Sequence, residues 1–206
     1  MIQSEIFEGW RKAALSDDYS YLIHPTGHDD VAYEQSGKAY ADRIMSKVNQ
    51  YADQLKPKTK GMPVIMDYGC GNGRILRHIP QPSVGIDIVP EAAEMVGGYT
   101  PDEYTGKVDV IYSVNVLIHN TYADGCAIIE WMHGRLKKGG LLLLQMPIYD
   151  TAKEPTNYLD VGVWTYDMLV KATDGYKIIE AKTNPGSFSF EAIGPDHFDF
   201  HTLTKL

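Results

Sequence analysis

Three glycines at alternate positions, Gly69, Gly71 and Gly73, follow a short apolar run and an acid. The apolar run, residues 64–66, predicts a buried strand, and the acid at its end is Asp67. Glycine is needed where the backbone takes positive φ or where a ligand must approach the main chain closely. The spacing therefore predicts a ligand-binding turn at the carboxyl end of a strand, the edge at which open α/β sheets bind their ligands.

A second acid, Asp87, ends the next strand-like run, 18 positions after Gly69. A carboxylate at such a position can accept hydrogen bonds from both hydroxyl groups of a ribose. Nicotinamide-binding folds place an acid about 20 residues on for the same purpose. Asp87 therefore indicates an adenosine ligand without choosing between the cofactors that contain one.

The glycine spacing separates these cofactors. A dinucleotide-binding turn reads G-x-G-x-x-G/A, and its third small residue allows the helix to pack closely on the strand. Counted from Gly69 and Gly71, that third position falls on Arg74, which is far too large. The spacing disfavours an NAD(P)-dependent oxidoreductase, which stays open as a less favoured alternative.

Four segments in the right order resemble the class I S-adenosylmethionine-dependent methyltransferases. The stretch 67–73 is similar to the first motif of that family, and Asp87 ends its second strand. Residues 108–119 resemble the fourth motif, in which a buried strand runs into a turn that ends in histidine. Residues 136–144, with their Gly-Gly pair, resemble the turn into the fifth strand. The resemblance covers residues 64–146 well and the first 60 residues poorly.

The resemblance implies an α/β fold with a Rossmann-like, mostly parallel seven-stranded sheet, helices on both faces and an antiparallel last strand. We expect an N-terminal helical cap in residues 1–60 and a single compact methyltransferase domain in residues 61–206. Apolar residues after the glycine turn predict that it leads into a helix. The segment between Asp87 and Asp109 is short for the family, so its third strand can hold only a few residues. Two β-like runs, residues 188–193 and 197–206, close the chain, and the second is the expected antiparallel strand.

S-adenosylmethionine is the cofactor that the resemblance implies. In the family, the first acid helps to position the ammonium group of the cofactor, and the second binds its ribose. The third-strand residue that usually contacts the adenine has no clear counterpart, and Asp102 or Glu103 is the nearest substitute. The expected cofactor-binding residues are Asp67, Tyr68, Gly69, Cys70, Gly71, Asn72, Gly73, Asp87, Ile88, Asn115 and Val116.

His119 is the candidate general base, because it follows the fourth motif near the expected position of the methyl group. The alternative is a histidine that anchors its loop by a hydrogen bond to a backbone carbonyl. Tyrosines are expected on the substrate side of the cofactor, and the candidates are Tyr33, Tyr149 and Tyr158. No metal site is expected, since the cluster of His24, His28, Asp29 and Asp30 lacks an established ligand spacing.

Composition narrows the partners of this chain. It has 206 residues and a formal net charge of −8, and its basic residues are scattered, which makes nucleic acid an unlikely partner. It has no apolar run of the roughly 20 residues that span a bilayer, and its two cysteines do not suggest a disulfide framework, so we expect a cytoplasmic protein. A small molecule methylated on oxygen or nitrogen is the leading hypothesis. Two alternative functions stay open: a methyltransferase that acts on RNA or protein, and an inactive methyltransferase-like binding subunit. A homo-oligomer is also possible.

Overall fold

The computed structural model describes residues 4–24, 26–53, 55, 61–186 and 200–206. Helices and strands alternate along the central part of the chain, as the spacing of apolar residues predicts. The helices are α1 (Ser4–Ala14), α2 (Tyr19–Ile23), α3 (Asp30–Gln50), α4 (Pro90–Met95), α5 (Tyr122–Arg135) and α6 (Tyr166–Ala172). The strands are β1 (Ile65–Tyr68), β2 (Ser83–Ile86), β3 (Val108–Val114), β4 (Leu136–Gln145), β5 (Tyr176–Glu180) and β6 (Phe200–Lys205).

One sheet with the strand order β2-β1-β3-β4-β6-β5 organises the fold. The strands β2, β1, β3 and β4 are parallel, and β6 is inserted antiparallel to both of its neighbours, β4 and β5. The Rossmann-like α/β fold and its antiparallel last strand are therefore confirmed. The β-like run predicted at residues 188–193 lies outside the described residues.

The sheet has six strands within the described residues, whereas the resemblance to the methyltransferases implied seven. The missing strand is the third of the family, which is reduced to a single parallel bridge between Tyr99 and Ile86. Tyr99 donates its N–H to the Gly85 carbonyl at 3.0 Å, and its own carbonyl accepts from Asp87 N at 3.1 Å. Pro101 follows, and proline has no N–H with which to extend a ladder. The short segment thus completes one rung of the sheet and no more.

Alternate residues of β3 cover opposite faces of the sheet, as the two-residue period of a strand requires. Val110 and Tyr112 pack on the side of α3, in one hydrophobic cluster with Ile44. Ile111 packs on the other side, in the cluster that contains Met132 of α5. Both faces are therefore covered by helices, as predicted, and α3 shares its core with the strands.

The segment after the glycine turn differs from the predicted helix. It forms only a short 3-10 helix, Leu76–His78, and Ile79 is already extended, with φ −79° and ψ 116°. Pro80 follows, and the residue before a proline avoids the helical region because of a clash with the proline ring.

No helix in the described ranges is long and apolar enough to cross a membrane.

Candidate active site

A cavity lies at the carboxyl ends of β1, β2 and β3, where the sequence places the ligand. Eight of the predicted cofactor-binding residues line it: Tyr68, Gly69, Cys70, Gly71, Asp87, Ile88, Asn115 and Val116. His119 lines it as well. The fold therefore brings three segments together at the cavity, although they are distant in the sequence. They are the end of β1, the end of β2 and the turn that runs from Asn115 to His119.

The glycine turn has the backbone that its spacing predicts. Gly69, Gly71 and Gly73 have φ of 79°, 51° and 79°, in the left-handed region that side chains other than glycine rarely adopt. A Cβ atom on Gly69 would lie 2.1 Å from Cγ2 of Val116. The glycine turn thus packs directly against Val116, and Gly69 and Gly71 both line the cavity.

Asp87 is held rigidly in the cavity wall. One carboxylate oxygen accepts a hydrogen bond from Gly71 N and the other from Val89 N, each at 3.0 Å. Burial raises the pKa of Asp87, and these backbone N–H groups oppose the shift. Each carboxylate oxygen has a second lone pair, so both can still accept from a diol.

Asp67 lies behind the glycine turn and is not among the described residues that line the cavity. Asp67 is 3% exposed, and this burial raises the pKa of its carboxyl group to about 7. The Tyr112 hydroxyl and the Arg74 guanidinium favour the ionised form, whereas Asp87 disfavours it. A cationic group bound on the other side of the turn would also favour the ionised form.

The rest of the turn is fastened to the N-terminal helices. Asn72 accepts a hydrogen bond from the Tyr33 hydroxyl at 2.9 Å, and it donates to Ser20 Oγ at 3.1 Å. Asn72 and Gly73 are not among the described lining residues, and neither is Tyr33, which was predicted on the substrate side. The contact of Tyr33 is with the turn itself.

Arg74 occupies the position that would have to be small in a dinucleotide-binding fold. Its guanidinium carbon lies 5.1 Å from the centre of the Tyr40 ring and 5.9 Å from that of Tyr33. It also donates to Ser36 Oγ at 3.0 Å. The side chain is buried against α3, so the large residue serves the packing of this helix on the turn.

The model of a methyltransferase-domain family matches residues 37–186 of the chain. This span contains β1, β2 and β3, the strands whose carboxyl ends form the cavity. The chain belongs to this family. The prediction of a class I S-adenosylmethionine-dependent methyltransferase is thereby confirmed, together with the family's cofactor. The match favours methyl transfer over the nicotinamide alternative.

Solved structures agree with this methyltransferase fold. Magnesium protoporphyrin IX methyltransferase (ChlM) from Synechocystis PCC 6803, with bound S-adenosylmethionine, has a TM-score of 0.56 at 16% identity, over 98% of this chain and 92% of that one. DesVI from Streptomyces venezuelae has a TM-score of 0.61 at 11% identity, over 86% and 96%. The 1,6-didemethyltoxoflavin-N1-methyltransferase of Burkholderia thailandensis has 0.57 at 15%, over 96% and 89%. Such identities establish the fold alone, and a search of curated proteins finds no match to this sequence.

His119 of the methyltransferase is both a loop anchor and a cavity residue. Its Nδ1 lies 3.1 Å from the backbone carbonyl of Asp160. A carbonyl can only accept, so Nδ1 carries the proton and Nε2 keeps its lone pair. Burial lowers the pKa of His119 to about 4, although the bond to Asp160 opposes the shift. The imidazole is therefore neutral at neutral pH.

The N-terminal helices supply cavity residues that sequence reasoning missed. Trp10 of α1 and Tyr19, Leu22 and Ile23 of α2 line the cavity. The Trp10 ring packs edge-on against His119, with ring centres 5.2 Å apart, and against Tyr158, at 5.5 Å. Tyr158 thus lies beside the cavity, whereas Tyr149 pairs with Asn184 and is not among the described lining residues. The amphipathic pattern of two short helices does not reveal which site they cover.

The two acids that the sequence offers for the adenine contact, Asp102 and Glu103, lie outside the described cavity lining. Glu103 accepts from the N–H and the hydroxyl of Thr100, both at 2.8 Å, and it is exposed. Asp102 is exposed too, and neither acid is among the described lining residues. The apolar side chains of Ile88, Val116 and Ile128 line the cavity instead.

Within the described residues, no group of three or more histidine, cysteine or acidic side chains could hold a metal ion. Two residues of the His/Asp cluster in which no metal site was expected, His24 and Asp29, have separate contacts. His24 bonds Thr26 through Nδ1 at 2.7 Å, and Asp29 caps α3 by accepting from Ala32 N at 3.0 Å.

Proposed function

We propose that this chain binds S-adenosylmethionine in the cavity and transfers its methyl group to an oxygen or nitrogen atom of a small molecule. The observation that carries the proposal is the convergence of the glycine turn, Asp87 and His119 on one cavity wall. Asp87 would accept from the ribose, and the main chain of Gly69 and Gly71 would lie against the methionine part. The cofactor supplies a methyl group on a positively charged sulfur.

Two features of the cavity fit this cofactor. The first is the glycine turn, in which Gly69 and Gly71 line the cavity without side chains that would block the approach of a ligand. The second is Asn115, whose side-chain oxygen is buried without a hydrogen-bond partner among the described residues, and whose own φ of 59° is unusual for a residue other than glycine. A buried acceptor of this kind is costly unless a ligand donates to it. The ammonium group and the ribose of the cofactor are both donors.

The cavity favours a small, uncharged acceptor. None of its described lining residues is a lysine or an arginine, so an anionic group would find no positive partner there. Trp10, Leu22 and Ile23 give the α1–α2 side an apolar surface, and we propose that these helices cap the site within the predicted segment 1–60. The Arg11 Nε donates to Glu91 at 2.9 Å, which ties α1 to α4. Such a cover excludes water and aligns the reactants.

Isothermal titration calorimetry tests the proposed binding of the cofactor by this chain. We expect binding of S-adenosylmethionine and of its demethylated product, and no heat with NAD. Binding of NAD alone would favour the oxidoreductase, and affinity for none of the three would overturn the proposal. Binding of the sulfur cofactors with no turnover across a panel of neutral phenols and amines would instead support the inactive binding subunit.

Replacing His119 by glutamine should lower kcat by on the order of 100-fold, the usual minimum contribution of a general base. The neutral Nε2 can take the proton that the acceptor loses on methylation, and glutamine cannot. Because the pKa of His119 is about 4, wild-type kcat/KM should fall as the pH drops through about 4, where the imidazole becomes protonated. Steady-state rates between pH 3.5 and 8 measure both effects, over the range in which circular dichroism shows the protein folded. Unaltered turnover of His119→Gln would leave the histidine only its anchoring role.

A further inference from the structure

The loop that follows β4 contains an acid with an unusual number of donors. The Asp160 carboxylate accepts from Lys153 Nζ at 2.5 Å, from Thr156 N at 3.0 Å, from Thr156 Oγ1 at 2.9 Å and from Val161 N at 2.8 Å. These bonds keep the pKa of Asp160 well below its usual range. The carboxylate therefore stays ionised at any pH at which the enzyme works, and it holds the loop 153–161 in one conformation.

The same loop is fastened to the turn that carries His119. The Asp160 carbonyl accepts from His119 Nδ1 at 3.1 Å, and Gly162 N donates to the Ile118 carbonyl at 2.6 Å. The two bonds lie side by side, so the loop and the turn cannot move apart without breaking both. The direction of the Asp160 carbonyl depends on the conformation of the loop, and its own carboxylate holds that conformation.

We propose that Asp160 is a positioning residue, which fixes His119 as the Nδ1–H tautomer with the Nε2 lone pair directed at the methyl acceptor. The carbonyl of Asp160 selects the tautomer, and its carboxylate keeps that carbonyl in place. Asp160 itself touches no reacting atom. The inference rests on the proposed function for the use that is made of Nε2, whereas the effect of Asp160 on the imidazole is independent of it.

Without the Asp160 carbonyl, His119 would populate both of its tautomers. A free imidazole exchanges between its two tautomers, and its ordinary pKa is about 6.5. Trp10 packs edge-on against the ring, and Asp160 supplies the carbonyl that bonds Nδ1. Loss of the carboxylate leaves Lys153 Nζ, Thr156 and Val161 without this acceptor, so the loop should separate from the turn. The carbonyl would then no longer hold the proton on Nδ1.

Nitrogen NMR of the full chain, labelled at its histidines, reads the tautomer and the titration of His119 directly. The His119 signal is assigned as the one that is missing from His119→Gln. In the wild type we expect a proton on Nδ1 and titration near pH 4. In Asp160→Ala we expect a mixture of tautomers and a kcat about 10-fold lower, with the affinity for S-adenosylmethionine unchanged. Asp160→Asn keeps one acceptor oxygen, so its tautomer ratio and its kcat should lie between those of the wild type and those of Asp160→Ala.

Asp150→Asn is the matched control. Asp150 also lies between β4 and α6, but its carboxylate accepts from Gly186 N at 2.8 Å and has no bond to His119. It should leave the His119 signal unchanged. A folded Asp160→Ala with the wild-type tautomer would overturn the proposal. If that variant does not fold, a wild-type His119 protonated on Nε2 would overturn it as decisively. Should His119→Gln keep full turnover while Asp160→Ala alters the tautomer, the proposed base fails and the positioning effect stands.

Discussion

Replacing Asp87 by asparagine should weaken the binding of S-adenosylmethionine by about 100-fold or more. The carboxylate holds Gly71 N and Val89 N and leaves one lone pair on each oxygen for the ribose hydroxyls. An asparagine of the same shape presents an NH₂ group to one of those N–H donors and loses one ribose acceptor. Two hydrogen bonds to a charged group are worth about 1.5 kcal/mol or more each, and about 1.4 kcal/mol is tenfold in affinity. Calorimetric titration with the cofactor measures the loss.

Asp109 is the matched control for this experiment. It is also buried, and it accepts a backbone bond from Val64 N at 2.9 Å, but it stands at the start of β3, away from the cavity. Lys137 pairs with it at 2.9 Å. Asp109→Asn should lower the melting temperature and leave cofactor affinity unchanged. An Asp87→Asn protein that binds as tightly as wild type would remove the ribose role from Asp87.

Replacing Gly37 by alanine should destabilise the protein by about 3 kcal/mol, although alanine in a helix normally stabilises by about 1 kcal/mol relative to glycine. Gly37 lies within α3, and a Cβ atom there would be 2.2 Å from the backbone carbonyl oxygen of Arg74. That oxygen belongs to the main chain just after the glycine turn, so it cannot swing away as a side chain would. The melting temperature should fall by about 6–12 °C for a domain of this size.

Gly134→Ala in α5 provides the opposite expectation within the same chain. A Cβ atom at Gly134 meets nothing within 4 Å, so only the helix propensity remains, and the protein should gain up to about 1 kcal/mol. Thermal unfolding of both variants gives the comparison. A gain in stability for Gly37→Ala would mean that α3 does not pack on the glycine turn as closely as described.

The residues predicted most accurately are those whose task depends on the local backbone. The three glycines have positive φ, and Asp87 stands at the end of its strand, because a tight turn and a strand end are encoded within a few neighbouring residues. The size of Arg74 separated two cofactor classes for the same reason. The exact place of the Arg74 side chain, between Tyr33 and Tyr40, was not predictable, since it depends on a helix some 40 positions earlier.

The third strand and the helix after the turn show the limit of pattern reasoning. Apolar spacing near Ile75 fits a helix, yet Pro80 ends it after one 3-10 turn. The segment between Asp87 and Asp109 is visibly short, but only the structure shows that Tyr99 completes a single rung of the sheet. The described residues that line the cavity include the apolar Ile88, Val116 and Ile128 and neither of the acids that the sequence offered for the adenine contact.

By itself, the sequence determined the sheet edge, the glycine turn and the acid beside it, because strand periods and glycine positions are local properties of the chain. The resemblance of four ordered segments then pointed to the methyltransferase family. The tertiary structure decided which groups surround the glycine turn: Trp10 and Ile23 from the N-terminal helices, and the Asp160 carbonyl that sets the His119 tautomer. Those groups come from opposite ends of the chain and meet only through packing. No spacing within the sequence records such a contact, since side chains with the same local pattern pack against different partners in different folds.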